Sequence, residues 1–353
     1  MEFDTSESGQ EEIARHAQRG ISFKDLKDLL KEPTPKKERG LAKDSGTEAA
    51  AADSTEVLYR QAIIEREQVI RDLLEGKPPS LEPLVRIIMD FVEALSTSSH
   101  LLVLSFSYSK DLFYPLFNSV NHAILAIKLG MGLEKYEKTD WVKLGVACLL
   151  SDVGIWKIPR ELILKAGHLS PSELAEVRKH PTYSGEMLKT LPPEHLWLRT
   201  VAEQSHEREN GSGYPHGLRG DEIHEFAKII GLVETYEAIT HYRPYRPGGL
   251  RTPDAALKEL INIHESEGYP GELVKILVKQ LSVFPPGSWV CLNTGEIGQV
   301  LESNSLAPLR PKVEVWIDTS QKRLQNSKVI DLDKGLLVYI TGCINPAALP
   351  KEK

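Results

Sequence analysis

Hydrophobic residues recur at helical spacing through the middle of the chain. From Val57 the sequence VLYRQAIIEREQVIRDLLEG places its apolar residues on one face of a helix, which Gly76 closes. A second amphipathic stretch follows, with Ser80 as its predicted N-cap. Further stretches of this kind lie at 112–132, 140–151, 171–190, 194–208, 222–240, 253–266 and 270–282. The pattern predicts one all-α domain over residues 56–282.

The residues before this domain have a different composition. Residues 1–55 are rich in charged and small side chains, and their large apolar side chains are too sparse to offset the entropy of ordering the backbone. We expect a mostly disordered leader, with a short docking helix at 23–30 as the alternative. Within the domain we assign N-terminal helices to 56–110 and the core to 111–282.

The hydrophobic period changes again after Pro285-Pro286-Gly287. Short alternating stretches follow, among them 311–318, and Asn293-Thr294-Gly295 is a typical turn sequence. The pattern predicts a small β module over 283–340 and a tail over 341–353.

The amino-acid composition argues against some classes of binding partner. The chain of 353 residues has 50 acidic residues against 43 Lys and Arg, a formal charge of −7, which argues against binding a nucleic-acid polymer or an anionic membrane surface. Its three cysteines are far apart and form no CxxC pair, which favours a reducing compartment. No uncharged apolar run reaches the roughly 18 residues that a membrane span needs. We therefore expect a cytoplasmic protein without a membrane partner.

A glycine-rich loop is the sharpest local signal. The sequence HERENGSGYPHGLRGD brings Gly211, Gly213, Tyr214 and Pro215 together after a helix that ends near His206. Glycines permit positive φ angles and close approach to a ligand, and the tyrosine ring can stack on a base. An ordinary glycine-rich connection between helices is the alternative.

Four possible metal ligands lie on four different predicted helices. Asp152, His180, His206 and Glu234 offer the oxygen and imidazole donors that suit Fe, Mn or Zn. Spread along the chain they are weak evidence by themselves, since an Asp at a helix end such as Asp152 is often only a cap.

Two arginines form a third signal. Arg243 and Arg246 flank a rigid turn in YRPYRP, and pairs of guanidinium groups suit phosphate recognition. Surface salt bridges are the alternative explanation.

Together these segments resemble the HD-GYP family, all-α metal-dependent phosphodiesterases that hydrolyse cyclic di-GMP. The similarity covers roughly residues 57–335 and rests on LLSDVGIWKIPRELILKAGHLSPSELAEVRKHP, on HERENGSGYPHGLRGDEI and on RPYR. It implies an HD-type helical bundle with a C-terminal β module. It also implies that Asp152, His180, His206 and Glu234 are metal ligands, with Asp152 catalytic if activity remains. The loop residues and the two arginines would bind the nucleotide.

The departures from the family pattern concern the metal site. Where the family has histidines, this chain has Asn118, Ser151 and Ser205, and Ile155 replaces a lysine. The family's later metal aspartate appears as the longer Glu234. Because even outer-shell losses commonly cost about 10–100-fold in metal affinity, losing three inner ligands should abolish a two-metal centre.

One histidine could compensate for these losses. His122 lies four residues after Asn118, on the same helix face, and could replace its missing imidazole from one turn away. A core or surface histidine without such a role is the alternative.

Three functional hypotheses follow from the resemblance. The first is a catalytically impaired homologue that binds cyclic di-GMP or a related cyclic dinucleotide as a sensor or effector, with no metal or a single divalent ion. The second is an active phosphodiesterase with a one-metal site. The third is an interaction scaffold whose Gly-Tyr-Pro loop contacts a GGDEF-type or other signalling protein.

Overall fold

The structure of this chain is a computed structural model, and it describes residues 46–107, 114–241, 251–304, 306–335, 337–345 and 349. Two predictions lie outside the described residues: the leader up to residue 45, with its alternative docking helix, and the arginine pair Arg243 and Arg246.

Helices make up the described chain as far as residue 281. Their bounds are α1 Gly46–Leu74, α2 Glu82–Thr97, α3 His100–Ser107, α4 Asn118–Gly130, α5 Lys138–Ser151, α6 Arg160–Ile163, α7 Pro171–Val177, α8 His180–Met187, α9 Trp197–Gln204, α10 Glu225–Thr240, α11 Pro253–Ile263 and α12 Gly271–Leu281. Short 3-10 turns connect several of them, including Val153–Lys157 after α5.

The first helix begins earlier than the sequence analysis predicts. Helix α1 starts at Gly46, inside the segment 1–55 that was expected to be disordered. The sequence there, GTEAAAADST, contains four consecutive alanines, the residue with the highest intrinsic helix propensity. That propensity lets the helix extend beyond its apolar stripe, so α1 begins before the predicted boundary of the domain.

The core of the helical domain surrounds α4. Twelve of its thirteen residues are buried, polar ones among them, and it packs against α5 on one side and α10 on another. The second half of α5, from Leu144 to Ser151, is also fully buried. The apolar side chains of α2 and α10 complete the same cluster. Because α4, α5 and α10 are packed so tightly, the polar residues at their ends are held in fixed positions.

The C-terminal part is an antiparallel sheet. Its strands are β1 Trp289–Leu292, β2 Ile297–Glu302, β3 Lys312–Ile317, β4 Arg323–Asp331 and β5 Ile340–Ile344, in the spatial order β4-β3-β2-β1-β5. β3 alternates between buried and half-buried residues, and Val313 and Val315 join a small core that is separate from the helical one.

The sheet extends beyond the predicted end of the β module. β5 pairs with β1, with Val290 opposite Cys343, although residues from 341 onwards were expected to form a tail. The strand ITGCI has a weaker alternation of burial than β3, which explains why its pattern did not identify it. Helices followed by a small antiparallel sheet confirm the predicted fold class.

No single helix of the described chain is long and apolar enough to cross a membrane. The pair Glu82–Thr97 and His100–Phe106 passes that test only when taken together, by length and composition, and is bent by 107°.

Candidate metal centre and nucleotide site

Helix ends bring the predicted ligands together. Asp152 directly follows α5, His180 is the first residue of α8, and His206 comes just after α9, while Glu234 lies within α10. These four residues are separated by up to 82 positions in sequence, yet they meet where α5, α8, α9 and α10 pack. Three of the four residues lie at helix ends, and the packing of these helices brings the ends close together.

A close backbone contact at Gly154 explains how α8 reaches Asp152. A Cβ atom at Gly154 would lie 2.1 Å from the carbonyl oxygen of His180 and 2.3 Å from the backbone nitrogen of Ser184. The amide of Gly154 also donates a hydrogen bond to Oγ of Ser184, over 2.8 Å. Since no other residue fits this space, the glycine sets the approach of the first turn of α8 to the end of α5.

Three side chains form a compact group. One ligand atom from each of Asp152, His180 and His206 lies within 4.8 Å of the others. The two Nε2 atoms of the histidines are 2.8 Å apart. Oδ1 of Asp152 is 3.5 Å from Nε2 of His180 and 3.9 Å from Nε2 of His206.

The tautomer of His180 makes its Nε2 available as a ligand. Its Nδ1 lies 2.8 Å from the carbonyl oxygen of Val177. Because a carbonyl only accepts hydrogen bonds, Nδ1 carries a proton, and the Nε2 atom faces the group. A backbone carbonyl that fixes the ring in this way is the usual partner of a metal-binding histidine.

The protonation states also suit a cation. Burial lowers the pKa of His206 well below its ordinary value, so the ring stays neutral. For Asp152, burial raises the pKa, but the contact with His180 and the surrounding histidines outweigh this effect, and the net pKa falls. A carboxylate and two imidazoles therefore converge as electron-pair donors.

The spacing of these donors fits a divalent metal. Two ligands bound at about 2.1 Å, at angles between tetrahedral and octahedral, are roughly 3.0–3.4 Å apart. The three observed separations of 2.8, 3.5 and 3.9 Å lie within about half an ångström of that range. Asp152 and His180 are also buried, with 6% of each residue exposed, so water does not satisfy these donors well. The group thus has the geometry and chemistry of a possible three-residue metal site.

Two other residues considered from the sequence stand outside this group. Oε1 of Glu234 is 3.5 Å from Nε2 of His206, beside the group rather than within it. His122 is fully buried in α4, where its Nε2 lies 3.7 Å from Oε2 of Glu237. His122 therefore faces a carboxylate of α10 and is not one of the three clustered ligands.

Three of the four positions that differ from the family pattern, Asn118, Ser151 and Ser205, are buried. The Ser151 hydroxyl donates a hydrogen bond to the carbonyl oxygen of Cys148, and the Ser205 hydroxyl to that of Ala202, each over 3.1 Å. Asn118 accepts a hydrogen bond from the amide of Ser119 over 2.9 Å, at the start of α4. Ile155 is half-buried in the 3-10 turn after Asp152.

The glycine-rich loop packs closely on the residues that precede it. Gly211 has a positive φ of 81°, and a Cβ atom on Gly213 would lie 2.4 Å from the backbone of Glu207 and Arg208. The loop then continues through a cis peptide bond between Tyr214 and Pro215. The glycines therefore allow the backbone of the loop to lie close to the residues that precede it.

A buried carboxylate that the sequence analysis did not consider holds this loop. Glu207 is only 2% exposed, and its two oxygens accept hydrogen bonds from the amides of His216, Gly217 and Leu218 at 2.6, 3.2 and 2.9 Å. Three donors of this kind stabilise the carboxylate and fix the path of the loop.

The loop places Tyr214 against the candidate metal site. Its ring stacks on the imidazole of His206, with centroids 4.8 Å apart and planes 10° from parallel. The guanidinium of Arg178 lies over the same ring at 5.2 Å. One predicted nucleotide-binding residue thus contacts one predicted metal ligand directly.

A buried arginine next to the site was also missed by the sequence analysis. Arg66 of α1 is 1% exposed and donates hydrogen bonds to the carbonyl oxygens of Leu149, over 2.7 Å, and Pro115, over 3.1 Å. Burial lowers its pKa to about 10, and the charges of Asp152 and Glu67 oppose that shift. Arg66 sits in an otherwise ordinary amphipathic stretch, so nothing in the sequence marks it.

Comparisons with known proteins agree with this geometry. A sequence profile described as "HD domain" matches residues 68–272, which include every residue of the candidate site. The chain belongs to the HD-domain family. A second profile, "KOW domain associated with HD domain", matches residues 289–352, where the antiparallel sheet lies.

Curated relatives of this chain include phosphodiesterases of cyclic dinucleotides. The chain is 31% identical over 191 residues to the cyclic di-GMP phosphodiesterase PA4108 of Pseudomonas aeruginosa, which covers 54% of this chain and 45% of the relative. It is 29% identical over 220 residues to the cyclic di-GMP phosphodiesterase PdeB of Borreliella burgdorferi, covering 62% and 54%. A 3'3'-cGAMP-specific phosphodiesterase of Vibrio cholerae is 33% identical over 149 residues, covering 42% and 32%. The chain therefore spans about half the length, or less, of these relatives.

A solved structure shares the fold. Bd1817, described as a HDG"Y"P protein from Bdellovibrio bacteriovorus, superposes with a TM-score of 0.53 at 16% identity, covering 77% of this chain and 80% of that one. The resemblance to the HD-GYP family that the sequence motifs indicated is confirmed.

Proposed function

We propose that this chain is a cyclic dinucleotide signalling protein of the HD-GYP type whose hydrolytic centre is impaired. It would bind cyclic di-GMP or a related cyclic dinucleotide and act as a sensor or effector. The relatives are phosphodiesterases of cyclic di-GMP and cGAMP, which supports this class of ligand. The impairment is proposed on the residues of this chain alone.

The observation that carries the proposal is the contrast in donors around the site. Asp152, His180 and His206 converge, whereas the hydroxyls of Ser151 and Ser205 are used within their own helices. Three ligands support one divalent ion, Fe, Mn or Zn, with Glu234 as an additional carboxylate next to His206.

A divalent ion bound there would polarise a phosphoryl oxygen and activate water. The chain's own residues would orient the nucleotide. Arg243 and Arg246, outside the described residues, are proposed to contact the phosphates, because guanidinium groups bind phosphate without help from a metal. Tyr214 would shape the loop beside the ligand, and Asp152 would be the catalytic carboxylate in any residual hydrolysis. Ile155 supplies no positive charge to the developing negative charge of the transition state.

Calorimetry and a hydrolysis assay with cyclic di-GMP and added Mn²⁺ test this proposal. We expect binding without appreciable turnover. The variant that combines Asn118→His, Ser151→His and Ser205→His should bind more metal than the wild type, while its turnover stays low because Ile155 is unchanged. Turnover by the wild type comparable with that of an intact phosphodiesterase, and lost in Asp152→Ala, would overturn the impaired centre.

An active enzyme with one metal is the second candidate. It is favoured by the group of Asp152, His180 and His206, which offers three ligand atoms close together and of which the first two residues are buried. The same hydrolysis assay decides between the two. If the wild type binds no nucleotide at all, the scaffold hypothesis gains support, since Ser212, Pro215 and His216 of the loop are exposed and accessible to a protein partner.

A further inference from the structure

An exposed arginine lies at the rim of the candidate metal centre. Arg178 follows α7 directly and precedes His180, the first residue of α8, by two positions. Its guanidinium carbon is 5.2 Å from the centre of the Tyr214 ring, and that ring stacks on His206. A single aromatic ring thus connects this cation with a metal-ligand candidate.

The charge of Arg178 is not used by a carboxylate. Within the described part of the chain, no Asp or Glu forms an ion pair with it, and the residue is exposed. Arg208 gives the contrast: its guanidinium also lies over an aromatic ring, that of Tyr269 at 4.6 Å, but it donates hydrogen bonds to the carbonyl oxygens of Ser205 and Glu207. Arg208 is a structural arginine, whereas the donors of Arg178 remain available to a ligand.

The electrostatics of the site favour a cation at this position. The carboxylates of Asp152 and Glu234 lie 3.9 and 3.5 Å from Nε2 of His206, so an anionic phosphate would be repelled there without compensating positive charge. A centre with one metal ion supplies less positive charge than one with two. An arginine at the rim offers a planar set of donors that matches phosphate oxygens.

The geometry points to Arg178 as a further phosphate-binding residue for the cyclic dinucleotide, held over the ring of Tyr214 for that purpose. This inference rests on the proposed function, because it takes a cyclic dinucleotide as the ligand. The stacking contact with Tyr214 pre-orients the guanidinium, and so less side-chain entropy is lost when the phosphate binds.

The test is calorimetry with cyclic di-GMP on the full chain with Mn²⁺, comparing the wild type with Arg178→Gln and Arg178→Lys. Loss of one charged hydrogen-bonding group should weaken binding roughly 10–100-fold in Arg178→Gln. Arg178→Lys should fall between this variant and the wild type, because it keeps the charge and loses the planar fork. The salt dependence of binding should also become shallower in Arg178→Gln.

Two readouts separate ligand contact from a purely structural role. Metal content and thermal stability should be unchanged in Arg178→Gln, since the three clustered ligands remain. The matched control is Arg86→Gln, which removes an exposed arginine of α2 that pairs with Glu82, and it should leave nucleotide affinity unchanged.

Each other outcome counts against the inference in a distinct way. Affinity of Arg178→Gln within twofold of the wild type overturns the role of Arg178 and leaves the proposed function standing. Loss of metal together with nucleotide in that variant assigns Arg178 to support of His206 instead. If the wild type itself does not bind cyclic di-GMP, both proposals fail.

Discussion

Adjacent residues at two helix ends have opposite surroundings. Asp152 and His206 turn toward each other and toward His180, with 3.9 Å between Oδ1 of the aspartate and Nε2 of His206. Their preceding neighbours, Ser151 and Ser205, donate hydrogen bonds to carbonyl oxygens three residues earlier in their own helices. Ser151, Asp152 and Ser205 are buried and His206 is half-buried, and each pair consists of consecutive residues, so the contrast arises from the side chains.

The two pairs of residues differ in whether they need a ligand that the chain itself does not supply. A buried serine whose hydroxyl bonds to its own helix has its donor satisfied and requires no ligand. A buried carboxylate facing two imidazoles is costly unless a cation or a proton balances it. The region of Ser151 and Ser205 is therefore complete without a ligand, whereas the region of Asp152 and His206 has a chemical demand for a cation.

The largest expected effect is on metal binding. Asp152→Ala should lower the affinity for a divalent ion by at least about 100-fold, because it removes an inner ligand and even outer-shell losses commonly cost 10–100-fold. The measurement is metal content by elemental analysis after dialysis, followed by competition with a chromogenic chelator.

Its matched control is the neighbouring residue. Ser151→Ala should leave metal content unchanged, since its hydroxyl is committed to Cys148. Equal loss of metal in the two variants would show that the serine belongs to the site and that the contrast between the two positions is mistaken.

The next effect separates stability from metal binding. Arg66 donates charged hydrogen bonds to two buried carbonyl oxygens, those of Leu149 and Pro115, close to the positions Asn118 and Ser151. Hydrogen bonds to charged groups are worth about 1.5–3 kcal/mol each, and methionine avoids part of the cost of burying a charge. Arg66→Met should therefore lower the free energy of unfolding by about 3 kcal/mol, measured by urea denaturation.

The same variant should keep its metal. Removing a cation near Asp152 cannot weaken the attraction of that carboxylate for another cation. Arg86→Met, at an exposed ion pair of α2, is the control and should not change the unfolding midpoint measurably. An unchanged midpoint in Arg66→Met, or loss of its metal, would contradict this account of the buried arginine.

The architecture could be predicted from the sequence because hydrophobic periodicity indicates where the helices and strands lie. The helical stripe between Val57 and Leu74 and the alternation of β3 are both visible in the chain. Where local helix propensity acts without that pattern, the element boundary differs from the predicted one, as at the alanine-rich start of α1. β5 is a comparable case, since its position depends on pairing with β1 and its own burial barely alternates.

The site was accessible from sequence only through recognisable motifs. The motifs identified Asp152, His180 and His206, which the structure brings into one group. The roles of Glu207 and Arg178 depend on which backbone amides and which ring lie nearby, and these are tertiary facts without a sequence signature. Arg66 is similar, because an arginine in an amphipathic helix is normally exposed, and only the packed structure shows it buried.

The smallest expected effect concerns the ring of Tyr214, which lies between His206 and Arg178. Tyr214 stacks on His206 and supports Arg178, so its own contact with the ligand is limited by these neighbours. An aromatic contact contributes about 0.5–1.5 kcal/mol beyond the area it buries, and Tyr214→Ala should therefore weaken cyclic di-GMP binding by only about 2–10-fold. Tyr214→Phe keeps the ring and should bind as the wild type does in calorimetry.

If Tyr214→Phe bound cyclic di-GMP as weakly as Tyr214→Ala, the hydroxyl and not the ring would make the contact. A loss larger than that of Arg178→Gln would mean that the ring, and not the guanidinium, is the main recognition element at the rim.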